Sequence, residues 1–455
     1  MKLYIPWIVS RRRILFAIAV DMLLNIYLYS NGFYSKFNSY PNQIVTISIA
    51  SFWVISSYIF GRYIASKNIN HINIIKTLIK SLSIFLLCNF IYLFINTFYQ
   101  IFIFFLSNQY SYIEFEKDQI LFFLRTTFLI SIFSWIIQYI LSIITNQIYQ
   151  NKKFWLFTGK KDALIKFKKE IKVNKKNFKI KNLDLNFNES QFDINEIEGI
   201  IIDDNDSNNF EQIFFYKSKG ITVLNTLKWC ELMLHRIPPY LIVNKYQIIE
   251  KFNFSDNSYN IRIKRIGDLF ISFLILFLTF PILVLIALCI YLEDRGPIFY
   301  SQIRTGYKGE KIRIYKFRSM IENAESDGAQ WSQTRDERVT NVGKFIRATR
   351  LDEIPQVFSV IRGQMSLIGP RPERPEIEEK LLKSIPYYKY RNILKPGISG
   401  WAQVNYPYGS SIEDTKNKLS YDIYYINHIS FLLDFLILFK TIKTVVRARA
   451  NKNIY

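Results

Sequence analysis

The sequence predicts a membrane protein of the α plus α/β class, with an N-terminal bundle of four transmembrane helices, a degenerate Rossmann-like α/β module and a C-terminal domain entered by a re-entrant membrane helix. Of the 455 residues, 50% are hydrophobic and 17% aromatic, which is too apolar for a purely soluble chain. Long apolar runs come first, short apolar runs alternating with polar stretches follow, and a last long run contains a proline. The predicted domains are residues 1–150, 151–250 and 251–455.

The four N-terminal helices are predicted from hydropathy and charge. Their apolar runs approach or exceed the roughly 20 residues that a spanning helix needs, and they lie near residues 14–30, 44–64, 78–106 and 120–145. Three arginines precede the first run and two lysines follow the fourth, whereas the connections after the first and third runs are poor in both. The positive-inside rule therefore places both ends of the bundle in the cytoplasm. Asp21 interrupts the first run, and we expect it to face partner helices.

The formal net charge of +22 indicates a negatively charged partner. Because the basic clusters adjoin hydrophobic runs, anionic membrane lipid and phosphorylated substrates are favoured over nucleic acid. We therefore expect no nucleic-acid partner. The 3 cysteines and 3 histidines are scattered along the chain, and they predict neither a disulfide framework nor a cysteine- or histidine-based metal centre.

The middle of the chain alternates short apolar strands with polar helical stretches. The strands read FWLFTG, KIKNLDL, GIIIDD and GITVLN, and this alternation implies a small α/β layer with parallel strands. The first strand ends at Thr158-Gly159 and leads into a helix, as in dinucleotide-binding folds. Only one glycine stands there, whereas a phosphate-binding turn needs several. We therefore predict a degenerate, non-catalytic Rossmann-like module in the cytoplasm.

The apolar run over residues 266–292 is long enough to span a bilayer. Pro281 lies near its middle, where it removes a backbone hydrogen bond and kinks the helix. Basic residues flank the run on both sides, which favours both ends on one face of the membrane. These features predict a re-entrant helix broken at Pro281. A second membrane contact is predicted at residues 421–446, where Asp434 favours an interfacial helix over a spanning one.

Two adjacent carboxylates, Asp352 and Glu353, stand among arginines just before Pro355. A proline in a first helical turn suggests that Asp352 lies at or near a helix N-terminus. That end of a helix stabilises phosphate and ionised carboxylates, so the pattern indicates phosphoryl chemistry. Simpler interpretations remain open for each residue: Asp352 as an ordinary N-cap, and Arg371 in a salt bridge to a nearby glutamate.

These residues resemble those of the monotopic phosphoglycosyl transferases, in the bacterial sugar transferase family. The resemblance covers about the C-terminal two-fifths of the chain and includes the segments KRIGD, GPIFYSQ, KFRSM, GPRPE and KPGISGW. It implies a multi-pass protein of the bacterial inner membrane with its catalytic domain on the cytoplasmic face. The implied reaction transfers a sugar 1-phosphate from a UDP-sugar to undecaprenyl phosphate, releases UMP and initiates lipid-linked assembly of an exopolysaccharide, capsule or O-antigen.

The resemblance also implies roles for particular residues. Asp352 and Glu353 would be the catalytic pair, with Asp352 as the nucleophile that forms a covalent aspartyl phosphosugar intermediate. Glu353 would bind Mg²⁺. Pro370, Arg371 and Pro372 would form part of the nucleotide site.

Five further residues are candidates for substrate binding because of the chemistry of their side chains or of the glycines near them. Arg318, Arg347 and Arg350 are candidate phosphate ligands, because a planar guanidinium offers two parallel donors. Trp401 and Gln403 are expected to line the site, since the glycines near them allow a backbone to approach a ligand closely. The same loop could instead pack Trp401 on the membrane.

Two other classes of function remain open from the sequence alone. The helix bundle would suit a transporter, although the motifs would then lie outside the transport path. The α/β module would suit a noncatalytic scaffold for glycan assembly. Release of UMP from a UDP-sugar separates the enzyme from both. The sequence leaves open which sugar is transferred, which glycan pathway is served and whether the chain forms a homo-oligomer.

Overall fold

A computed structural model gives the structure of the chain. It describes residues 11–63, 71–107, 113–149, 154–173, 178–182, 196–203, 210–242, 259–322, 324, 338–407, 409 and 411–450. The chain forms two compact units, Met1–Lys152 and Lys153–Tyr455. The second unit contains both the α/β module and the C-terminal domain.

The first unit contains the four predicted helices: α1 (Arg12–Phe37), α2 (Gln43–Ile59), α3 (His71–Ser107) and α4 (Ile113–Tyr149). Helix α1 and segments of α3 and α4 are long and apolar enough to cross a membrane. Helix α2 is apolar but has only 17 residues. The prediction of four apolar N-terminal helices is confirmed.

Asp21 lies inside this bundle and is fully buried. Tyr63 and Ser134 donate hydrogen bonds to its carboxylate at 2.7 and 2.6 Å, and Gln138 donates one at 3.1 Å. The guanidinium of Arg62, also buried, lies 3.3 Å from the same carboxylate. Asp21 therefore faces partner helices, as expected, because an ionisable group in an apolar bundle needs a charged or hydrogen-bonding partner.

The second unit begins with the α/β module. Its sheet is entirely parallel, with strand order β2-β1-β3-β4, which confirms the predicted parallel layer. Trp155, Phe157, Phe167 and Trp229 form the core on one face of the sheet. The finer likeness to a Rossmann fold stays a prediction. The elements are β1 (Phe154–Thr158), α5 (Lys161–Val173), β2 (Ile180–Asn182), β3 (Ile197–Ile202), α6 (Phe210–Ser218), β4 (Thr222–Asn225) and α7 (Thr226–Trp229).

Helix α8 (Tyr259–Asp294) contains the long C-terminal apolar run. Its 36 residues correspond to about 54 Å at 1.5 Å per residue, and Phe270 and Phe277 are among its many exposed apolar side chains. The chain stays helical through Pro281, so the helix continues where the sequence predicted a break. One proline removes one hydrogen bond, and the bonds on either side continue the helix. The re-entrant path stays a prediction.

The C-terminal domain packs around the start of α8. Arg265 donates hydrogen bonds to the carbonyl oxygens of Val360 and Ile361 at 2.6 and 2.9 Å. The Lys264 ammonium lies 2.8 Å from Asp434. The other elements are β5 (Phe299–Thr305), β6 (Lys311–Phe317), α9 (Asn341–Thr349), α10 (Val357–Ile361), β7 (Ser366–Ile368), α11 (Pro375–Ser384), β8 (Gly397–Ser399), α12 (Trp401–Asn405), α13 (Ile412–Asn427) and α14 (Phe431–Ala450).

The prediction of a single interfacial helix over residues 421–446 is wrong. The chain forms two helices there, and α13 ends at Asn427 before α14 begins at Phe431. Tyr421, Tyr424 and Tyr425 are buried in the protein, so their aromatic rings contribute to the domain core. Within residues 421–446, which the structure describes throughout, the exposed large apolar side chains lie on α14.

The bundle yields a prediction about stability. Asp21→Ala leaves the buried Arg62 without its carboxylate, and loss of one partner from a buried pair typically costs about 3–5 kcal/mol. Asp118→Ala is the matched control, because it removes an exposed ion pair with Lys36 that should contribute less than about 1 kcal/mol. Thermal unfolding in detergent measures both, and equal losses would contradict the assignment of Asp21 to a stabilising buried network.

Candidate active site

Asp352 and Glu353 lie at the start of a short helical segment. Helix α9 ends where Arg350 adopts a left-handed conformation (φ 60°), which a residue other than glycine seldom adopts. This turn redirects the chain into a 3₁₀ helix over Leu351–Gln356, which continues into α10. The two carboxylates occupy the first turn. The predicted position at a helix N-terminus is confirmed.

Glu353 is surrounded by positive charge. Its Oε1 lies 2.7 Å from Arg371, 2.9 Å from Lys316 on β6 and 3.9 Å from Arg350. Burial alone would raise the pKa of Glu353, but the charges of Arg371, Lys316 and Arg350 outweigh it and hold the pKa well below its usual range. Glu353 is therefore ionised and fixed in place.

Asp352 has a different environment from its neighbour. Its side chain is only 9% exposed, and its Oδ1 is buried with no hydrogen-bond partner among the residues that the structure describes. Burial, followed by the negative charge of Glu353, raises its pKa, while Lys316, Arg350 and Arg347 oppose the rise. A buried acceptor without a partner is costly and is common at functional sites. This oxygen is thus available to a ligand or a reacting atom.

The Arg371 loop, Pro370 to Glu373, is fixed through its backbone. Each of its four carbonyl oxygens accepts a hydrogen bond within the domain, so the Arg371 side chain starts from a rigid support. The Gly397 amide donates to the Pro370 carbonyl at 2.9 Å, and the Arg391 guanidinium donates to the Arg371 carbonyl at 2.7 Å. The Arg304 guanidinium donates to the Pro372 carbonyl at 3.4 Å, and the Thr305 amide donates to the Glu373 carbonyl at 2.9 Å. The guanidinium of Arg371 pairs with the Glu353 carboxylate.

The arginines predicted to bind phosphate fall into two groups. Arg350 and Arg347 influence the carboxylate pair electrostatically. Arg318 instead pairs with Asp294 at the end of α8, and its backbone N–H bonds the Ile298 carbonyl. Its described contacts thus anchor the end of the membrane helix, and its role as a phosphate ligand stays a prediction.

Trp401 and Gln403 lie on the loop and short helix after β8. Trp401 is 1% exposed, donates its indole N–H to the His235 carbonyl at 3.0 Å and stacks on Tyr424. These contacts belong to the interior of the domain and to the α/β module. Gln403 is half-buried and bonds the Ile398 carbonyl at 3.5 Å. The role of both residues in lining the site stays a prediction.

Sequence reasoning missed two residues of this site, Lys316 and Arg391. The signal for Lys316 was strand alternation, because Ile312, Ile314 and Lys316 lie on one face of β6 and both isoleucines are buried. A lysine that continues a buried face needs an acidic partner, which here is Glu353. Arg391 gave no comparable signal, since Asp422 and the Arg371 carbonyl, its partners in the site, lie far from it along the chain.

The carboxylate pair offers oxygen atoms that can bind Mg²⁺. Among the described residues, no group of three or more histidine, cysteine, aspartate or glutamate side chains comes together. Mg²⁺ is usually bound by one or two carboxylates together with substrate phosphates and water. The adjacent carboxylates and the partnerless Oδ1 of Asp352 fit that requirement.

Comparison with known proteins defines the class of this domain. Residues 259–448 match the family model for bacterial sugar transferases. A putative undecaprenyl-phosphate N-acetylgalactosaminyl 1-phosphate transferase of Bacillus subtilis (strain 168) is 43% identical over 146 residues, which are 32% of this chain and 82% of that protein. The chain belongs to the bacterial sugar transferase family.

Two longer relatives match between two-fifths and half of the chain. The UDP-N-acetylgalactosamine-undecaprenyl-phosphate N-acetylgalactosaminephosphotransferase of Aeromonas hydrophila is 48% identical over 184 residues, which are 40% of this chain and 44% of that protein. The UDP-glucose:undecaprenyl-phosphate glucose-1-phosphate transferase of Klebsiella pneumoniae is 39% identical over 215 residues, or 47% and 46%. The matched segment thus spans less than half the length of these two relatives.

The environment of Asp352 yields a stability prediction. Because its pKa is raised on folding, the ionised carboxylate destabilises the native state at neutral pH. Asp352→Asn should therefore increase the free energy of unfolding at pH 7, by roughly 0.5–2 kcal/mol, as stabilising substitutions commonly do. The gain should vanish as the pH falls through the raised pKa towards the ordinary value of 3.8. Thermal unfolding across pH measures it, with the exposed Glu379→Gln on α11 as control; a less stable variant at pH 7 would contradict it.

Proposed function

We propose that this protein transfers a sugar 1-phosphate from a UDP-sugar to undecaprenyl phosphate and releases UMP. The names of the relatives support this donor and acceptor. The observation that carries the proposal is the buried Asp352 Oδ1, which has no hydrogen-bond partner in the described part of the chain, beside an ionised Glu353 held by cations. By this proposal the enzyme initiates a lipid-linked glycan.

The charges around the pair suit a diphosphate substrate. Two carboxylates, Asp352 and Glu353, lie among four cationic side chains whose charges act on them: Lys316, Arg347, Arg350 and Arg371. The excess of positive charge favours an anionic ligand, and preorganised positive groups stabilise the charge that develops during phosphoryl transfer. A noncatalytic scaffold or a transporter would not need such an arrangement.

In the proposed mechanism, an Asp352 oxygen attacks the sugar-bearing phosphorus of the donor. An acyl phosphate bond forms as the bond from that phosphorus to the bridging oxygen breaks, and UMP leaves with the bridging oxygen. An oxygen of the lipid phosphate then attacks the same phosphorus. The bond to Asp352 breaks, the carboxylate is restored and the lipid carries a diphosphate-linked sugar. Covalent attack by Asp352 splits one difficult transfer into two easier steps.

Glu353 would hold Mg²⁺ in this proposal. The ion would neutralise negative charge on the donor phosphates when bound. Glu353 keeps its own ion pairs with Lys316 and Arg371 through Oε1. Arg371 is directed at the site by its fixed loop and is proposed to bind the nucleotide phosphates.

The membrane places both substrates within reach. We propose that α8 is re-entrant and returns at Pro281, so that the catalytic domain faces the cytoplasm of the inner membrane, where nucleotide sugars are made. Arg265 bonds α8 to α10, the helix that continues from the 3₁₀ turn carrying Asp352. That bond would keep the site near the lipid headgroups, where the phosphate of undecaprenyl phosphate lies.

The covalent step can be trapped. Purified protein in nanodiscs, given a UDP-sugar radiolabelled in the sugar but no lipid acceptor, should release UMP in a burst and retain label on the protein. UDP-N-acetylgalactosamine and UDP-glucose are the first donors to test, since they appear in the names of relatives. Asp352→Ala should abolish burst, label and turnover. Glu353→Ala should lower the rate about a hundredfold or more, the typical cost of losing one electrostatic contact.

The alternative is direct attack by the lipid phosphate in a ternary complex. In that case UMP release would require the lipid, no label would stay on the protein and the kinetics would not be ping-pong. This outcome would exclude Asp352 as the nucleophile while leaving the overall reaction in place. Absence of UMP release with lipid and a full panel of UDP-sugars would argue for a scaffold or a transporter.

The pH dependence of turnover tests the electrostatics of Asp352. The nucleophile must be ionised, so the rate should fall as the pH drops through its pKa. Lys316 lowers that pKa, and Lys316→Gln should therefore move the acidic limb of the pH–rate profile to higher pH. Lys311→Gln, an exposed lysine on the same strand, is the matched control and should leave the limb unchanged. If the acidic limb of the pH–rate profile does not move in Lys316→Gln, a group other than Asp352 limits the rate.

A further inference from the structure

The end of the α/β module packs against the C-terminal domain. The docking segment, residues 226–242, comprises α7, a π-helical turn over Cys230–Leu234, the left-handed His235 and a 3₁₀ turn over Pro239–Leu241. Trp229, Cys230 and Leu234 of this segment belong to the module core. The docking segment is therefore an integral part of the module.

Polar contacts join the docking segment to α12 and α13. Trp401 donates to the His235 carbonyl at 3.0 Å, and the Ile237 amide donates to the Ser420 carbonyl at 2.8 Å. The guanidinium of Arg236 donates to Asn417 at 3.1 Å, and His428, just past α13, lies 2.9 Å from Glu231. Backbone bonds fix the register of the segment on α13, so the module and α13 are held together in one defined arrangement.

Arg236 connects three elements. It is fully buried, pairs with Glu170 of α5 and bonds Asn417 of α13. A second ion pair joins the same two helices, between Lys169 and Glu413, but its groups are 3.9 Å apart and both are largely exposed. The buried pair should stabilise the arrangement, whereas the exposed pair contributes little.

Helix α13 also contacts the support of the Arg371 loop. Asp422, which is 3% exposed, lies 3.2 Å from Arg391. Arg391 in turn donates to the Arg371 carbonyl at 2.7 Å, and Arg371 pairs with Glu353. A continuous series of hydrogen bonds and ion pairs therefore runs from α13 to the catalytic pair.

We propose that Arg391 is a positioning residue for Arg371, and that the α/β module supports the nucleotide-sugar site by holding α13 through the docking segment. This inference rests on the proposed function. It assigns the module a role within the transferase: the module fixes the helix from which Arg391 and the Arg371 loop are held.

Three variants of the full chain in nanodiscs test the inference. Asp422→Asn removes the nearer of two carboxylates that pair with Arg391, the other being Glu373 at 3.7 Å, and keeps the shape of the side chain. Glu170→Gln does the same to the partner of Arg236, on the module side. Glu413→Gln is the matched control, because it removes only the exposed pair between the same two helices.

The expected results concern KM and amide hydrogen exchange. Asp422→Asn should raise KM for the UDP-sugar about tenfold with a smaller change in kcat, and should speed exchange in peptides covering residues 366–374, because a less anchored loop opens more often. Glu170→Gln should change both quantities in the same direction by a smaller factor. Glu413→Gln should match the wild type. Trp401→Phe, which removes the N–H donated to His235 and also shortens the ring that stacks on Tyr424, serves if Glu170→Gln does not fold.

The outcomes separate this inference from the proposed function. Wild-type KM and exchange in both Glu170→Gln and Trp401→Phe would overturn the role of the module, and wild-type values in Asp422→Asn would overturn the role of Arg391. Hydrogen exchange needs no turnover. Faster exchange in the variants of a protein that releases no UMP from any UDP-sugar would support the structural link while contradicting the proposed function.

Discussion

The ion cluster at Glu353 is the interaction on which the rest of the site depends. One buried carboxylate brings together a strand residue, Lys316, a loop residue, Arg371, and the helical turn that carries Asp352. Removing a carboxylate from water is costly unless its partners are fixed. The structure meets that requirement through the hydrogen-bonded Arg371 loop and the β6 strand. Asp352 is buried beside the negative charge of Glu353 and has cations nearby. Among the described residues, none of these cations bonds its Oδ1.

The sequence was most informative where chemistry and local structure coincide. The carboxylate pair at a helix start, the proline-flanked Arg371 and the parallel α/β layer could all be predicted, because proline, glycine and strand alternation act over a few residues. Partners distant in sequence could not. Arg391 meets Asp422 and Arg371 only once the chain has folded, and nothing near Arg318 in the sequence indicated its pairing with Asp294.

The error at residues 421–446 has a similar cause. Hydropathy does not distinguish an aromatic helix that faces lipid from one that faces protein, and the tyrosines of α13 are buried in the domain. The same ambiguity affected Trp401, whose indole N–H bonds the carbonyl of His235 in the α/β module. Long apolar helices were easier to predict, because their length alone excludes a small soluble core.

The fixed backbone of the Arg371 loop limits which parts of the site could adapt to a different UDP-sugar donor. Pro370 and Pro372 have no N–H groups, and the carbonyls from Pro370 to Glu373 are all occupied by donors within the domain. The loop therefore has little freedom to adapt to different hexoses. Under the proposed function Arg371 meets the diphosphate, which all UDP-sugars share. A change of sugar preference would therefore need substitutions outside this loop.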